Sequence, residues 1–327
     1  MSVKLIHLCL ILSLSTLGFG SYSALAQNNY PNKPITLIVP YGAGGNADTR
    51  SRQVAQLLSQ ELGQPIIVDN KAGAGGNIGT EAVAHAKPDG YTIGMGNFAP
   101  LSVNKALFKK MNFDPEKDLT PIVLIEKGPL VLTVPVNSPY KTVAELVNVA
   151  KAKPGVLTFG SGGIGGSHHL SGELFKQNAG IDMIHVPYKS GSAATTDLMA
   201  GTIDLMFEQM YSAMPNINGK KLKALAITSA KRSPLLPNVP TLVELGYPKV
   251  IVLNWQGFIA PTGTPKEIIN KLNLAVNKVL KDPGMRERII SQSNEVGGGS
   301  PEDFAALIKS ESAKWSVVVK TANIKPE

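Results

Sequence analysis

The sequence predicts an α/β protein built from two similar lobes. Short β-branched runs alternate with amphipathic helices along the chain. A unit of strand, glycine-rich loop, helix, strand and loop occurs twice. The length, roughly 300 residues once an N-terminal leader is set aside, suits two lobes better than one compact core.

The leader comes first. Met1-Ser2-Val3-Lys4 is a short positive start, Leu5 to Leu17 is apolar, and Ala24-Leu25-Ala26 forms a small-x-small cut site before Gln27. Residues 1–26 are therefore read as a cleavable secretory signal peptide, because the apolar run is short for spanning a bilayer. Cleavage removes Cys9, the one cysteine, so no disulfide or thiol chemistry is expected of the mature chain. It also removes Lys4, after which 31 basic residues face 24 acidic ones, a net charge of +7. The lysines are scattered with few aromatics beside them, which excludes a nucleic-acid stripe. The expectation is an exported protein, periplasmic in a cell with two membranes.

The elements then follow in order. Ile35 to Val39 is a short buried strand that runs into Pro40-Tyr41-Gly42-Ala43-Gly44-Gly45. Asp48 to Leu62 reads as a helix with Val54, Leu57, Leu58 and Leu62 on one face and Gly63 as its stop. Pro65 to Asp69 is the next strand, followed by Gly73-Ala74-Gly75-Gly76 and a further strand from Tyr91 to Met95. Thr142-Val143-Ala144-Glu145 is a capping box at a helix start. Val156 to Phe159 leads into Gly160-Ser161-Gly162-Gly163-Ile164-Gly165-Gly166. A helix from Ser167 to Gln177, a strand from Met183 to Val186 and the loop Tyr188-Lys189-Ser190-Gly191-Ser192 complete that unit. Thr264-Pro265-Lys266-Glu267 reads as a second capping box, and Ser300-Pro301-Glu302-Asp303 opens the last helix.

The doubled unit carries the functional reading. Gly42 lies 27 positions before Asp69, and Gly160 lies 26 before Val186. Each glycine loop would place a helix N-terminus at the C-terminal edge of a parallel sheet, where open α/β sheets bind ligands. Free amides and the positive end of the helix dipole hold an anion there without lysine or arginine. Two such cradles suit a solute with an acidic group at one or both ends.

Other chemistries fit less well. Gly42-x-Gly44-x-x-Ala47 matches the dinucleotide template, with Asp69 where a ribose-binding acid would sit. Asp48 would repel a pyrophosphate, however, and the leader lacks the twin arginines of a folded, cofactor-loaded export substrate. A nucleotide-dependent oxidoreductase is thus the enzyme alternative. The GxSxG elbow is absent. His168 and His169 are adjacent, so their side chains diverge by about 100° on a helix, and no partner is spaced for metal coordination. One is expected to line the cleft or cap, the other to pack. Asp204 and Glu208 read as solvated loop positions, with cleft lining as the second reading, and Trp255 as core or hinge packing rather than a ligand platform. No catalytic residue, metal or cofactor is expected.

These residues are similar to those of the solute-binding receptors of tripartite tricarboxylate transporters, the Bug-type receptors. The resemblance rests on VPYGAGGNAD (39–48), NKAGAGGNIGTEAVAHAKPDGYTIGMG (70–96), DPEKDLTPI (114–122), TFGSGGIGGSHHLSGELF (158–175), HVPYKSGSAATTDLMAGTIDLMF (185–207), LPNVPTLVELGY (236–247) and WQGFIAPTGTP (255–265). It implies a two-lobed periplasmic binding protein, a Venus flytrap of type II-like build with two crossover strands. Lobe I would take residues 27–126 and 250–327, and lobe II residues 127–249. The ligand would be a small carboxylate, and the partners membrane transporter subunits or a sensory protein that feeds a signalling pathway. A monomer without nucleic-acid partners is expected. Carried over, the first-lobe contacts are Tyr41, Gly42, Ala43, Gly44, Gly45 and Asp48. Those of the second lobe are Ser161, Gly162, Gly163, Gly166, Ser167 and His168, joined by Tyr188, Gly191, Ser192 and Ala193. Tyr41 stands where phenylalanine is commoner in that family, and Ser190 where glycine is frequent, so each adds a hydroxyl near the cleft.

Overall fold

The computed structural model describes residues 30–325. The signal peptide read at 1–26 lies outside them. The chain forms β1 (Ile35–Val39), α1 (Asn46–Leu62), β2 (Ile66–Asn70), α2 (Asn77–Ala84), β3 (Thr92–Asn97), α3 (Asn104–Leu107) and the long β4 (Leu119–Pro135). Next come α4 (Val143–Ala152), β5 (Thr158–Ser161), α5 (Ser167–Ala179), β6 (Ile184–Pro187), α6 (Gly191–Ala200), β7 (Leu205–Gln209), α7 (Met210–Asn218) and β8 (Leu222–Ile227). The chain ends with β9 (Leu253–Pro261), α8 (Lys266–Val279), α9 (Pro283–Ile290), β10 (Glu295–Gly298) and α10 (Pro301–Thr321).

The strands follow the order β2-β1-β3-β9-β4-β7-β5-β6, with β8 and β10 also paired to β4. In the first lobe β1 lies parallel to β2 and β3, and in the second β5 lies parallel to β6 and β7. This is the doubled unit in three dimensions: a strand, its helix and the next strand, twice. β4 joins the lobes. Its residues up to Pro129 pair with β9, and those from Leu130 onward pair with β7 and β8. The chain returns between Thr228 and Leu253, so there are two crossings.

Thr228 ties these crossings together. It is fully buried. Its amide donates to Leu130 O at 2.9 Å, and its carbonyl accepts from Val252 N at 3.0 Å. Its hydroxyl accepts from Leu130 N at 2.8 Å and donates to Val252 O at 2.7 Å. One side chain therefore satisfies backbone groups on both strands where ladder pairing lapses.

Besides two small clusters around Leu198 and Met210 in the second lobe, two large apolar cores lie among the described residues. One lies between α1, α8 and the first-lobe strands, with Leu37, Val54, Leu58, Ile93, Leu272 and Val276 buried. The other runs from Phe98 and Leu107 through Leu132 to Phe159 and Phe175, and includes Phe304 and Trp315 of α10. Trp255, expected as packing, is 1% exposed and meets Phe98 and Phe304 edge-on. The C-terminal half of α10 also reaches the second lobe, where Gln177 Nε2 donates to Val318 O at 3.2 Å.

The capping boxes at Thr142 and Ser300 form. The one expected at Thr264 does not, because its hydroxyl donates to Pro261 O at 2.7 Å and α8 starts behind Pro265 instead. Helix α1 begins two residues earlier than its apolar pattern, at Asn46.

Thr228→Val keeps the shape at the crossing but strands Leu130 N–H and Val252 O. Urea unfolding is expected to show a loss of about 1–3 kcal/mol. An unchanged midpoint would mean that the crossings are held by other contacts.

Candidate functional site

The two glycine loops occupy equivalent places, at the C-terminal ends of β1 and β5. Each feeds a helix whose N-cap is glycine: Gly45 with φ −74° and ψ 171°, and Gly166 with φ −72° and ψ 165°. Neither has a side-chain cap. The first intrahelical bonds are Thr49 N to Gly45 O at 2.9 Å and Leu170 N to Gly166 O at 3.0 Å. The amides of Asn46, Ala47 and Asp48, and those of Ser167, His168 and His169, precede that first bond and lack intrahelical acceptors. Side chains cap α4, α6, α9 and α10, while α2, α3, α7 and α8 also start without one. At α1 and α5 the missing caps leave donors and dipole ends open toward the sheet edges.

In the first lobe, Tyr41 to Asp48 form one cluster. Asp48 is 3% exposed. Its carboxylate accepts from Gly44 N at 2.8 Å, Asn70 Nδ2 at 3.0 Å and Arg52 Nε at 2.9 Å. Burial alone would push that carboxyl up, but the bonds from Arg52, Gly44 and Asn70 prevail and hold it below the usual carboxylate range. Asp48 therefore shapes the loop from beneath, while Gly42, Ala43, Gly44 and Gly45 are exposed above it. Asn70 also donates to Tyr41 O at 3.0 Å. The Tyr41 hydroxyl donates to Asn97 Oδ1 at 3.0 Å, and burial pushes its pKa up to about 12.

In the second lobe, Ser161 to His168 meet the 188–193 loop. Tyr188 N donates to Ser161 O at 2.9 Å, and a Cβ on Gly162 would stand 2.6 Å from Gly191 N. Only glycine lets these loops touch. Ser161 Oγ accepts from Gly163 N at 3.2 Å and lies 2.7 Å from His185 Nε2. His168 and His169 each receive a loop amide at Nδ1, from Gly162 at 3.4 Å and Gly165 at 3.0 Å. His169 is buried and stacks on His185 with centroids 3.7 Å apart. His168 lies beside Gly191, whose added Cβ would sit 3.0 Å from its Cε1. Ser167 opens α5, and Ala193 N donates to Ser190 Oγ at 3.2 Å, with Ser192 Oγ 3.0 Å from Ser190 Oγ. The Tyr188 hydroxyl is taken by Asp197 Oδ2 at 2.8 Å.

The structure brings the sequence-derived residues into two clusters, one per lobe. The edges face one another: Asn46 at the start of α1 shares a cavity with Gln209, Met210 and Tyr211 at the end of β7. At the loop tip, a Cβ on Gly165 would lie 2.1 Å from Leu107 of the first lobe. Sequence reasoning missed Asn70, Asn97 and His185, which buttress the loops from distant elements. It also misplaced Glu208. That residue is fully buried, because β7 continues through it, and it accepts from Thr195 at 2.5 Å and Thr133 at 2.7 Å. Burial raises its pKa against the pull of those two bonds. Among the described residues, no three His, Cys, Asp or Glu side chains are grouped to hold a metal ion, and no helix is long and apolar enough to cross a membrane.

Comparison with known proteins gives a consistent picture. The family described as "Tripartite tricarboxylate transporter family receptor" matches residues 51–324. The UPF0065 protein in the tcbD-tcbE intergenic region of Pseudomonas sp. strain P51 is 38% identical over 312 residues, covering 94% of this chain and 93% of that protein. The Rhodopseudomonas palustris protein Rpa4515, solved with adipate, is 35% identical, covers 91% of this chain and 100% of its own, and superposes with a TM-score of 0.83. MatC from the same organism, solved with bound malate, is 33% identical, covers 89% and 100%, and has a TM-score of 0.79. The matching family and the structural neighbours are solute-binding receptors rather than enzymes.

The histidines under the second loop have a measurable consequence. Burial lowers His168 to about 4; burial, then His185 and Lys176, lower His169 to about 3; burial, then Lys176, lower His185 to about 4. All three are neutral in the folded protein at neutral pH. Below about pH 6.5 the unfolded chain takes up protons that the folded one refuses, so stability falls on acidification and is unaffected above that pH. The slope reaches up to about 1.4 kcal/mol per pH unit for each histidine. Thermal melts from pH 7.5 to 4.5 are expected to drop below pH 6.5, and His185→Gln should flatten the fall. A flat wild-type profile would contradict the burial of these rings.

Proposed function

This chain belongs to the tripartite tricarboxylate transporter receptor family, and from that premise we propose that it captures a small carboxylate in the periplasm and hands it to membrane transport subunits. The leader at 1–26 directs export. Lobe I comprises 27–126 and 250–327, and lobe II comprises 127–249.

One observation carries the reading. The two helices that open on facing sheet edges start at glycine N-caps with nearly identical backbone angles and no side-chain cap. A carboxylate supplies the acceptor that each first turn lacks, and charge-assisted bonds from fixed amides are strong without a partner cation. In the first lobe the amides and polar groups of Tyr41, Gly42, Ala43, Gly44 and Gly45 hold the ligand, with Asp48 fixing the loop beneath them. In the second, Ser161, Gly162, Gly163, Gly166, Ser167 and His168 do so, with Tyr188, Gly191, Ser192 and Ala193 at the rim. A ligand that bridges both cradles favours the closed arrangement of the lobes, and the closed face is what a membrane partner reads. The malate and adipate of the structural neighbours are carboxylates of suitable size.

Mass spectrometry of ligand released from the purified protein, followed by thermal shifts with a panel of aliphatic and aromatic carboxylates, tests this directly. Stabilisation by none of them would reject the carboxylate reading. Gly166→Asp separates binding from folding. Its backbone angles suit a side chain, and a Cβ there meets nothing closer than 3.8 Å. The new carboxylate caps α5 internally, so stability should hold or rise by about a few tenths of a kcal/mol. Affinity for the carboxylate should fall by at least about tenfold. Unchanged affinity would remove the α5 amides from the site.

A further inference from the structure

The cavity beside the start of α1 is built for something other than a second carboxylate. It lies on the floor between the lobes, with Asn46 from α1, Gly128 and Pro129 from the β4 crossing, and Gln209 to Tyr211 from the end of β7. Its single charge, Glu126, is already satisfied. Arg50 lies 2.9 Å from Oε2, Asn294 Nδ2 donates to the same oxygen at 2.9 Å, and Gln256 Nε2 donates to Oε1. Both members of the Arg50–Glu126 pair are at most 2% exposed. No free cation is left there to balance a second anion, and burying one against Glu126 is costly.

The remaining lining groups have the opposite character. The side chains of Asn46, Gln209, Tyr211 and Asn254 make no hydrogen bond to other described residues, and the buried Trp255 Nε1–H has no partner. Buried polar groups are ordinarily paired; Trp255 Nε1–H is the buried unpaired group of this lining, with the half-buried Asn46, Gln209, Tyr211 and Asn254 around it, and it calls for an acceptor. Amides and a phenol both donate and accept. Free space at the centre admits a single water-sized group. Asn46, which directly follows the Gly45 N-cap, lines the cavity, so the cavity adjoins the helix start that would hold a carboxylate.

We propose that this cavity receives a hydroxyl group of the ligand, so that the receptor selects hydroxylated carboxylates over their deoxy analogues. This rests on the carboxylate reading above and names the substrate class of the same site. A hydroxyl both gives and takes hydrogen bonds, carries no charge and fits the space. The deoxy analogue leaves the buried Trp255 Nε1–H without an acceptor, and a site with a buried group left unpaired discriminates against the analogue lacking its partner.

The test is calorimetry of the whole mature protein with matched pairs: malate and succinate, lactate and propionate, 2-hydroxyadipate and adipate. In whichever pairs bind, the hydroxylated member is expected to bind about tenfold tighter or better. Tyr211→Phe and, separately, Gln209→Leu should bring that ratio toward one; the wild-type ratio stands as evidence even if a variant fails to fold. A wild-type ratio near one means that the cavity holds water in both complexes, and it overturns the proposal while leaving the carboxylate reading intact. Binding by no member of any pair overturns the proposal, and the wider panel of aliphatic and aromatic carboxylates then decides the reading on which it rests.

Discussion

The first turn of a helix has amides that the helix itself cannot satisfy, and two such turns, those of α1 and α5, open after glycine loops at equivalent sheet edges with nearly the same backbone angles. α1 and α5 could have been closed by serine or aspartate, as α6, α9 and α10 are. Glycine at both N-caps keeps them available at the edges of two parallel strand sets. The surrounding polar groups hold the loops in shape without occupying those amides. Asp48 and Asn70 do this in the first lobe, Ser161, His169 and His185 in the second. The supports differ in chemistry while the backbone angles at the caps coincide. That combination indicates a requirement on the backbone rather than on any one side chain.

The second requirement is that the two turns meet across a joint. β4 runs unbroken from one lobe into the other, and Thr228 binds it to the returning strand. Next to that crossing, Arg50 and Glu126 connect α1 with β4, β9 and the segment around Asn294. A buried ion pair is weak evidence for net stability, but it fixes where α1 sits relative to the crossing. The position of the first cradle is thus tied to the joint between the lobes. The floor cavity is lined from both sides of that joint.

The doubled unit, the glycine loops and five of the ten described helices were legible in sequence because their signals are local: β-branched runs, glycine clusters and apolar spacing. The box at Thr142 and the helix start at Ser300 were legible for the same reason. Thr264 misled because Pro261 O, held by the preceding turn, captured its hydroxyl. Glu208 misled because a charged residue after a short apolar run resembles a loop, while Thr133 and Thr195, distant in sequence, make its burial tolerable. The histidine stack and the floor cavity were invisible. Their members come from segments as far apart as Asn46, Tyr211 and Asn294, and only the fold brings them together.

The central claim is that one solute engages both uncapped turns at once. Amide hydrogen exchange with and without the ligand released from the purified protein tests it most directly. Residues 42–48 and 162–169 should both gain protection, with the same ligand concentration dependence, while the capped start of α10 stays unchanged. Protection confined to one lobe, or spread evenly over all helix starts, would contradict the account.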